Sequence, residues 1–214
     1  MPQTKDHASA CTRENTASKK VTGIFGGSFN PIHNGHIALA KELLTCAKLD
    51  EIWFVVSPHN PLKSRDGLLD DSKRLMMTTE ALAEEPRLHV SDYEFLLPRQ
   101  SFMRNTLAAM SNDHPDREFV LLIGADNWVC FDRWFAYKEI IDNYRIVIYP
   151  RSGSPIDGEH LPAGVSVAAT SLFNISSTEI RSLIANGKPF EHLVPPTVAE
   201  HIKIEHLYGY GENL

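Results

Sequence analysis

The sequence has few cysteines and no long apolar run. Its three cysteines, Cys11, Cys46 and Cys130, include no Cys-x-x-Cys pair. An odd number at long spacings argues against a disulfide framework and a zinc–thiolate site, and a reducing cytoplasm is the simplest compartment for it. Runs such as Ile52–Val56 and Phe119–Ile123 are far shorter than the ~20 residues of a membrane helix. We therefore expect a cytoplasmic protein that does not bind membranes.

The chain also lacks an excess of basic charge. It carries 21 Lys and Arg against 27 Asp and Glu, a net charge of -6. This excludes a large nucleic-acid surface. Small phosphorylated ligands remain open, because a local nest of amides binds them whatever the net charge. With 43% hydrophobic and 22% charged residues, the 214-residue chain has an ordinary globular composition, which excludes collagen, coiled coil and wholesale disorder.

The remaining sequence divides into a polar tail and one domain. Residues 1–20 contain almost nothing to bury, so we expect a disordered or loosely attached N-terminal tail. Residues 21–214 are the expected folded domain. His201 and His206 lie five apart rather than four, so no helical metal pair is predicted.

Short apolar runs alternate with helical patterns from Val21 onward. Strands are predicted at Val21–Phe25, Glu51–Val56, Leu88–Val90, Glu118–Ile123, Arg145–Tyr149 and Val165–Ala168. Helices are predicted at His36–Lys48, Ser72–Glu84, Phe102–Met110, Trp134–Asp142, Ser177–Asn186 and Pro196–Leu207. This alternation predicts a Rossmann-like α/β fold, a doubly wound parallel sheet with helices on both faces. Its ligands should bind beyond the carboxyl ends of the strands.

The loop after the first predicted strand reads GGSFNPIHNGH, residues 26–36. Gly26 and Gly27 allow the backbone to approach a ligand closely. The helix that starts here presents free amides and a positive dipole end. His33 and His36, three apart, can donate hydrogen bonds to one anion as its charge grows, although each alone is more often a surface residue. Together these features suit a polyphosphate whose charge rises in a transition state.

A second candidate segment is ISSTEIR, residues 175–181. Ser176 and Glu179 have the spacing of a capping box, which by itself explains half of the segment. Arg181 falls in the first turns of the predicted helix, where a cation opposes the helix dipole. A bound anion would remove that conflict, and arginine can chelate it with a fork of donors.

A third segment, Gly124-Ala125-Asp126, follows a predicted buried strand. The Asp126 carboxylate could accept hydrogen bonds from ribose hydroxyls, or it could cap a helix. Trp134 and Phe135, further along, could line an aromatic slot or belong to the core.

Together, these segments resemble the nucleotidyltransferase superfamily with the HxGH motif and, within it, bacterial nicotinate-nucleotide adenylyltransferases. Residues 26–36 are similar to GG[ST]F[DN]P[IV]HxGH, residues 175–181 to IS[ST]TxIR, and residues 124–126 to G[AS]D followed by Trp. The resemblance implies transfer of AMP from ATP, accompanied by Mg²⁺, to nicotinate mononucleotide, giving deamido-NAD and pyrophosphate in NAD biosynthesis. Nicotinamide mononucleotide or phosphopantetheine as acceptor, and a nucleotide-sensing module without catalysis, remain alternatives.

The resemblance also implies roles for individual residues. The implied catalytic residues are His33, His36 and Arg181. The implied ATP-binding residues are Gly26, Gly27, Ser28, Phe29, His33, His36, Gly124, Asp126, Ile175, Ser176, Ser177, Thr178 and Arg181. The implied substrate-binding residues are Asn60, Lys63, Phe102, Met103, Thr106, Trp134 and Phe135. Trp134 would stack on the pyridine ring, and backbone amides of Phe102–Met103 and Trp134–Phe135 would receive the ring carboxylate.

The chain departs from the family pattern in two loops. Where the family has Pro-Pro-His-Lys, this chain has Leu62 at the histidine position, before Lys63, and carries His59 instead. In the segment similar to SYTxDTL, Phe102, Met103 and Asn105 replace Tyr, Thr and Asp. Contacts through backbone amides would survive these changes, whereas contacts through the Tyr and Thr hydroxyls would not.

Overall fold

The computed structural model describes residues 18–58, 67–98 and 102–211. Within them lie the parallel strands β1 Lys20–Gly27, β2 Glu51–Val56, β3 Leu88–Ser91, β4 Arg117–Gly124, β5 Arg145–Tyr149 and β6 Val165–Val167. Their spatial order is β3-β2-β1-β4-β5-β6. The chain therefore reverses its direction of winding between β1 and β4, where the carboxyl ends of the strands open a crevice.

Helices connect these strands across both faces of the sheet. The described residues form α1 Asn34–Cys46, α2 Asp71–Ala81, α3 Tyr93–Leu96, α4 Met103–Asp113, α5 Ala125–Trp128, α6 Tyr137–Asn143, α7 Ser177–Ala185 and α8 Pro196–Ile204, with 3₁₀ turns at Phe131–Arg133, Glu191–Leu193 and Leu207–Gly209. None of the helices in this part of the chain is long and apolar enough to cross a membrane.

The core lies in two layers because successive strand residues point to opposite faces. Phe25 and Leu122 join the layer that α1, α2, α7 and α8 cover. Ile24 and Leu121 join the opposite layer, which α4 and α6 cover. This arrangement confirms the predicted Rossmann-like, doubly wound parallel sheet.

Candidate active site

The carboxyl edge of the sheet opens into a cavity of about 530 Å³ at the switch point between β1 and β4. Its walls are the loop after β1, the start of α4, the segment after β4, the loop after β5 and the start of α7. Sixteen of the residues predicted from the sequence line it: Gly26, Gly27, Ser28, Phe29, His33, His36, Phe102, Met103, Asp126, Trp134, Phe135, Ile175, Ser176, Ser177, Thr178 and Arg181.

Two predicted residues lie behind the cavity wall. Thr106 is fully buried, and its hydroxyl donates to Glu94 Oε1 at 3.0 Å, so it supports a wall residue instead of facing a ligand. Gly124 is needed for a steric reason, because a Cβ there would collide with the Asp126 carboxylate. The predicted contacts of Asn60 and Lys63 fall outside the described residues, as do His59 and Leu62.

The histidine pair caps the first helix. The His36 N–H donates to His33 Nδ1 and the His33 N–H donates to His36 Nδ1, both at 3.3 Å. The rings are stacked, with centroids 3.6 Å apart. This reciprocal pattern is a capping box in which imidazoles replace the usual Ser and Glu. Because each Nδ1 accepts a hydrogen bond, the neutral form of each ring carries its proton on Nε2.

Burial determines the charge of His33. Its side chain is 3% exposed, and burial, assisted by the positive charge of Arg151, lowers the pKa of His33 to about 3. His33 is therefore a neutral hydrogen-bond donor at neutral pH. The donor role expected of His33 from the sequence therefore does not require a charged ring.

The start of α7 is attached to the glycine loop. Ser176 caps the helix as predicted, since its Oγ accepts a hydrogen bond from the Glu179 N–H at 3.1 Å. The hydroxyl of Ser177 donates to the carbonyl oxygen of Pro31 at 2.9 Å. Two segments 146 residues apart in sequence are thereby held against the same cavity.

Arg181 spans the same junction. Its Nη1 donates to the carbonyl oxygen of Asn30 at 2.8 Å, and its Nη2 lies 3.4 Å from Thr178 Oγ1. A guanidinium has five N–H donors, so these two contacts orient the group and leave donors for a ligand. The cation lies in the first turns of α7, and its side chain lines the cavity.

Sequence reasoning missed Arg151 as a site residue. It lies two residues beyond β5 and lines the cavity, with its Nε 3.8 Å from Asp126 Oδ1 and its guanidinium carbon 5.3 Å from the ring centroid of Tyr149. Its buried Nε has no hydrogen-bond partner among the described residues. An arginine just after a buried strand was the available signal, since ligands bind at that edge.

Asp126 follows β4 at the same edge. It lies in the first turn of α5, and Gly124 occupies the cap position, so the alternative role of Asp126 as a helix cap is excluded. Its carboxylate is 55% exposed and faces Arg151, which leaves its oxygens accessible to a ligand hydroxyl.

Aromatic side chains from Phe102, Trp134 and Phe135 form an aromatic wall of the cavity. The rings of Phe102 and Phe135 lie 4.8 Å apart, and Phe135 is 53% exposed. Trp134 packs on the buried ring of Phe131 at 5.1 Å and also lines the cavity, so its two suggested roles, in the core and in a slot, are compatible.

The amides predicted to receive a carboxylate are only partly available. The Trp134 N–H donates to the carbonyl oxygen of Phe131 at 3.0 Å and is therefore occupied. The Phe135 N–H meets no acceptor within the described ranges. Helix α4 begins at Met103, directly after Phe102, so its first-turn amides and positive dipole end lie beside the cavity.

A parallel α/β sheet with a glycine loop, an imidazole pair and an arginine-bearing helix start at its switch point is typical of a nucleotide-binding protein. The model of the cytidylyltransferase-like family matches residues 24–183.

Named relatives narrow the assignment. A protein from Bacteroides fragilis named "Probable nicotinate-nucleotide adenylyltransferase" is 47% identical over 185 residues, which cover 86% of this chain and 92% of that protein. One of the same name from Bacteroides thetaiotaomicron is 46% identical over 187 residues, covering 87% and 93%. The chain belongs to the cytidylyltransferase-like family and, within it, to the nicotinate-nucleotide adenylyltransferases.

A solved structure supports the fold. The Plasmodium falciparum nicotinic acid mononucleotide adenylyltransferase complexed with NaAD superposes with a TM-score of 0.74 at 20% identity, over 90% of this chain and 99% of that chain.

Proposed function

We propose that the chain transfers AMP from ATP to nicotinate mononucleotide and releases pyrophosphate, forming deamido-NAD. The observation that carries this proposal is the convergence, on one cavity, of groups suited to phosphate with an aromatic wall and helix amides. The first set suits a triphosphate, and the second suits a flat ring bearing a carboxylate.

The chemistry needs no covalent enzyme intermediate. A phosphate oxygen of the mononucleotide attacks the α-phosphorus of ATP in line. A new P–O bond forms as the bond between the α-phosphorus and the bridging oxygen of the pyrophosphate leaving group breaks. The nucleophile is already anionic near neutral pH, because the second pKa of a phosphate monoester is ~6. The protein therefore has to position the reactants and stabilise the growing negative charge.

The residues around the glycine loop divide this work. In our proposal, the Nε2–H groups of His33 and His36 donate to the triphosphate, and Arg181 supplies positive charge and bidentate hydrogen bonds. The neutral state of His33 supports a donor role, because its proton is already on the nitrogen opposite the capping bond. Arg151 adds a second cation at the same wall.

The aromatic wall selects the acceptor. We infer that Trp134 and Phe135 contact the pyridine ring, and that the Phe135 amide and the first-turn amides of α4 receive its carboxylate. A carboxylate can accept from several N–H donors at once, whereas the NH₂ of an amide would face a donor and leave it unpaired. Asn60 and Lys63 remain proposed contacts to this substrate from the sequence resemblance.

Magnesium enters the proposal only with ATP. The described residues hold no group of three or more His, Cys, Asp or Glu side chains able to bind a metal ion. The carboxylate of Asp126 lies in the cavity, but it already faces the positive charge of Arg151 at 3.8 Å. These residues do not fit a metal site built by the protein, so Mg²⁺ would be held by phosphates and water.

Pyrophosphate release tests the proposal. Purified protein is mixed with ATP and, in separate reactions, with nicotinate mononucleotide, nicotinamide mononucleotide or phosphopantetheine. We expect rapid release with the nicotinate form. Release only with phosphopantetheine would reject the acceptor assignment. If ATP binds but none of the three acceptors leads to pyrophosphate release, a nucleotide-sensing module would be favoured.

A further inference from the structure

Helix α2 carries a fully buried cation outside the cavity. Arg74 has 0% exposure. Its Nη1 donates to the carbonyl oxygens of Ser28, at 2.5 Å, and Ser57, at 2.9 Å. Its Nε donates to the carbonyl oxygen of Leu69 at 3.0 Å, and its Nη2 forms an ion pair with Asp71 at 2.5 Å. One side chain therefore joins the loop after β1 to both ends of the connection between β2 and α2.

Stability alone does not account for this burial. Removing a charge from water is costly, and a buried ion pair is often matched or exceeded in stability by apolar residues of similar volume. Arg74 has one acidic partner, Asp71, which is 44% exposed, and its other three acceptors are neutral carbonyls. The hydrogen bonds specify where those carbonyls point.

The carbonyl of Ser28 belongs to the glycine loop. In a planar trans peptide, the C=O and the following N–H point in opposite directions. Because the Ser28 C=O points at Arg74, the Phe29 N–H points away from it. Both Ser28 and Phe29 line the cavity, whereas Arg74 does not.

Within the part of the chain that the structure describes, the Phe29 N–H is an unused donor. No acceptor for it exists among residues 18–58, 67–98 and 102–211, although Phe29 is only 2% exposed. Buried N–H groups without a partner are rare, so this donor indicates a ligand atom. Phe29 also has a left-handed backbone, with φ 45°, a conformation that persists only where surrounding contacts hold it.

Arg74 also fixes the neighbouring loop. Ser57, which accepts from its Nη1, donates its own N–H to the carbonyl oxygen of Gly27 at 2.9 Å. The loops after β1 and β2 are thereby connected into one unit through Arg74.

We propose that Arg74 is a positioning residue that aims the Phe29 N–H at the phosphates of the bound nucleotide. The inference rests on the proposed function, because it takes the nucleotide phosphates as the acceptor. Arg74 acts through the backbone of the glycine loop and touches no reactant.

The test compares Arg74→Met, Arg74→Lys and Met77→Ala. Met77 is fully buried one turn further along the same helix, so Met77→Ala is a control for destabilised packing. We expect Arg74→Met to lower kcat ~10²-fold, the usual cost of misplacing reacting groups, with KM for the mononucleotide within about twofold of wild type. Arg74→Lys should lower kcat ~10-fold, because a single ammonium replaces only some of the hydrogen bonds that the guanidinium donates. Met77→Ala should lower Tm but keep kcat within about twofold.

A binding measurement separates this inference from the proposed function. Calorimetric titration with α,β-methylene-ATP needs no acceptor, and we expect ~10-fold weaker binding by Arg74→Met, equivalent to one lost hydrogen bond. If the wild-type protein transfers AMP to none of the acceptors, the proposed function fails. The titration then still tests whether Arg74 positions the Phe29 N–H for nucleotide binding. If both Arg74 variants bind α,β-methylene-ATP with wild-type affinity and keep the wild-type kcat, the positioning role of Arg74 is overturned. If Arg74→Met does not fold, natively folded Arg74→Lys decides alone: unchanged kcat overturns the role of Arg74, and a ~10-fold loss supports it.

Discussion

At the scale of single residues, His36 offers a direct test of the proposed contacts to the triphosphate. We expect His36→Ala to reduce turnover by ~10²–10³, the typical loss for one transition-state donor, while circular dichroism stays native. His160, which is 81% exposed, pairs with Asp157 and does not line the cavity, provides the control. If His36→Ala matched His160→Ala in turnover, the proposed chemistry would be wrong.

His33 makes stability depend on pH. Its folded pKa is about 3, against an ordinary 6.5, because burial and Arg151 disfavour the charged ring. The unfolded chain therefore binds more protons between these values, and stability falls as pH drops from about 6.5. Asn at this position keeps a good N-cap without a titrating group. We therefore expect His33→Asn to lose less stability than wild type between about pH 7 and pH 5.

Urea unfolding at both pH values measures this difference, with His160→Asn as the matched control. A loss of stability in His33→Asn equal to that of wild type would show that His33 does not cause the pH dependence.

The residues that could be predicted from sequence are those that share a short segment. His33 and His36 lie in one short segment of the sequence, and Arg181 follows a recognisable helix start. Arg74 could not be predicted, because its partners Ser28 and Ser57 are 46 and 17 residues away and offer only backbone carbonyls. Such contacts leave no pattern in side-chain chemistry.

At the scale of elements, a charged cluster connects α2 to α8. His201 on α8 pairs with Glu80 on α2 at 2.7 Å and with Glu205 at 3.3 Å. The hydrogen bond to Glu80, and then the one to Glu205, raise the pKa of His201 against the lowering effect of burial. A raised folded pKa stabilises the protein below the unfolded value of 6.5, and that stabilisation is lost as pH rises through the folded value.

We therefore expect His201→Gln to lower Tm more at about pH 5.5 than at about pH 8.5, opposite in sign to His33→Asn. Calorimetric scans of the variant and of wild type at both values measure the effect. An equal loss of Tm at the two pH values would assign His201 a packing role only.

Element prediction succeeded where apolar runs were long and failed where geometry is local. All six predicted strands form, with β2 and β5 at the predicted bounds. Helix α6 starts only at Tyr137, three residues later than expected, because Trp134 ends a 3₁₀ turn and Ala136 takes a left-handed conformation. The one-turn helices α3 and α5 are too short to show a period.

At the scale of the whole molecule, the N-terminal segment remains a prediction. We propose that residues 1–20 are a tail and 21–214 the domain, although β1 already begins at Lys20, whose amine pairs with Glu51 at 2.5 Å. Deleting Met1–Ser18 should leave Tm and turnover nearly unchanged, because the segment has few apolar residues and none of the motifs. A large drop in either quantity would show that the segment packs on the domain.

The fold class followed from the alternation of strands and helices, and the position of the site followed from the fold class. The strand order did not follow, because it depends on which strands pair across the sheet. Only the structure brings the segments after β1, β4 and β5 together with the start of α7 around one cavity.

The central claim, transfer to the nicotinate form of the mononucleotide, is tested most directly by kcat/KM for two acceptors that differ only in the ring substituent. Charge-assisted hydrogen bonds from backbone amides are worth about 1.5–3 kcal/mol each, so we predict a preference for nicotinate mononucleotide of at least ~10-fold, extending to ~10³. Pyrophosphate release at matched ATP concentration measures both values. Equal kcat/KM for nicotinate and nicotinamide mononucleotide would contradict the assignment.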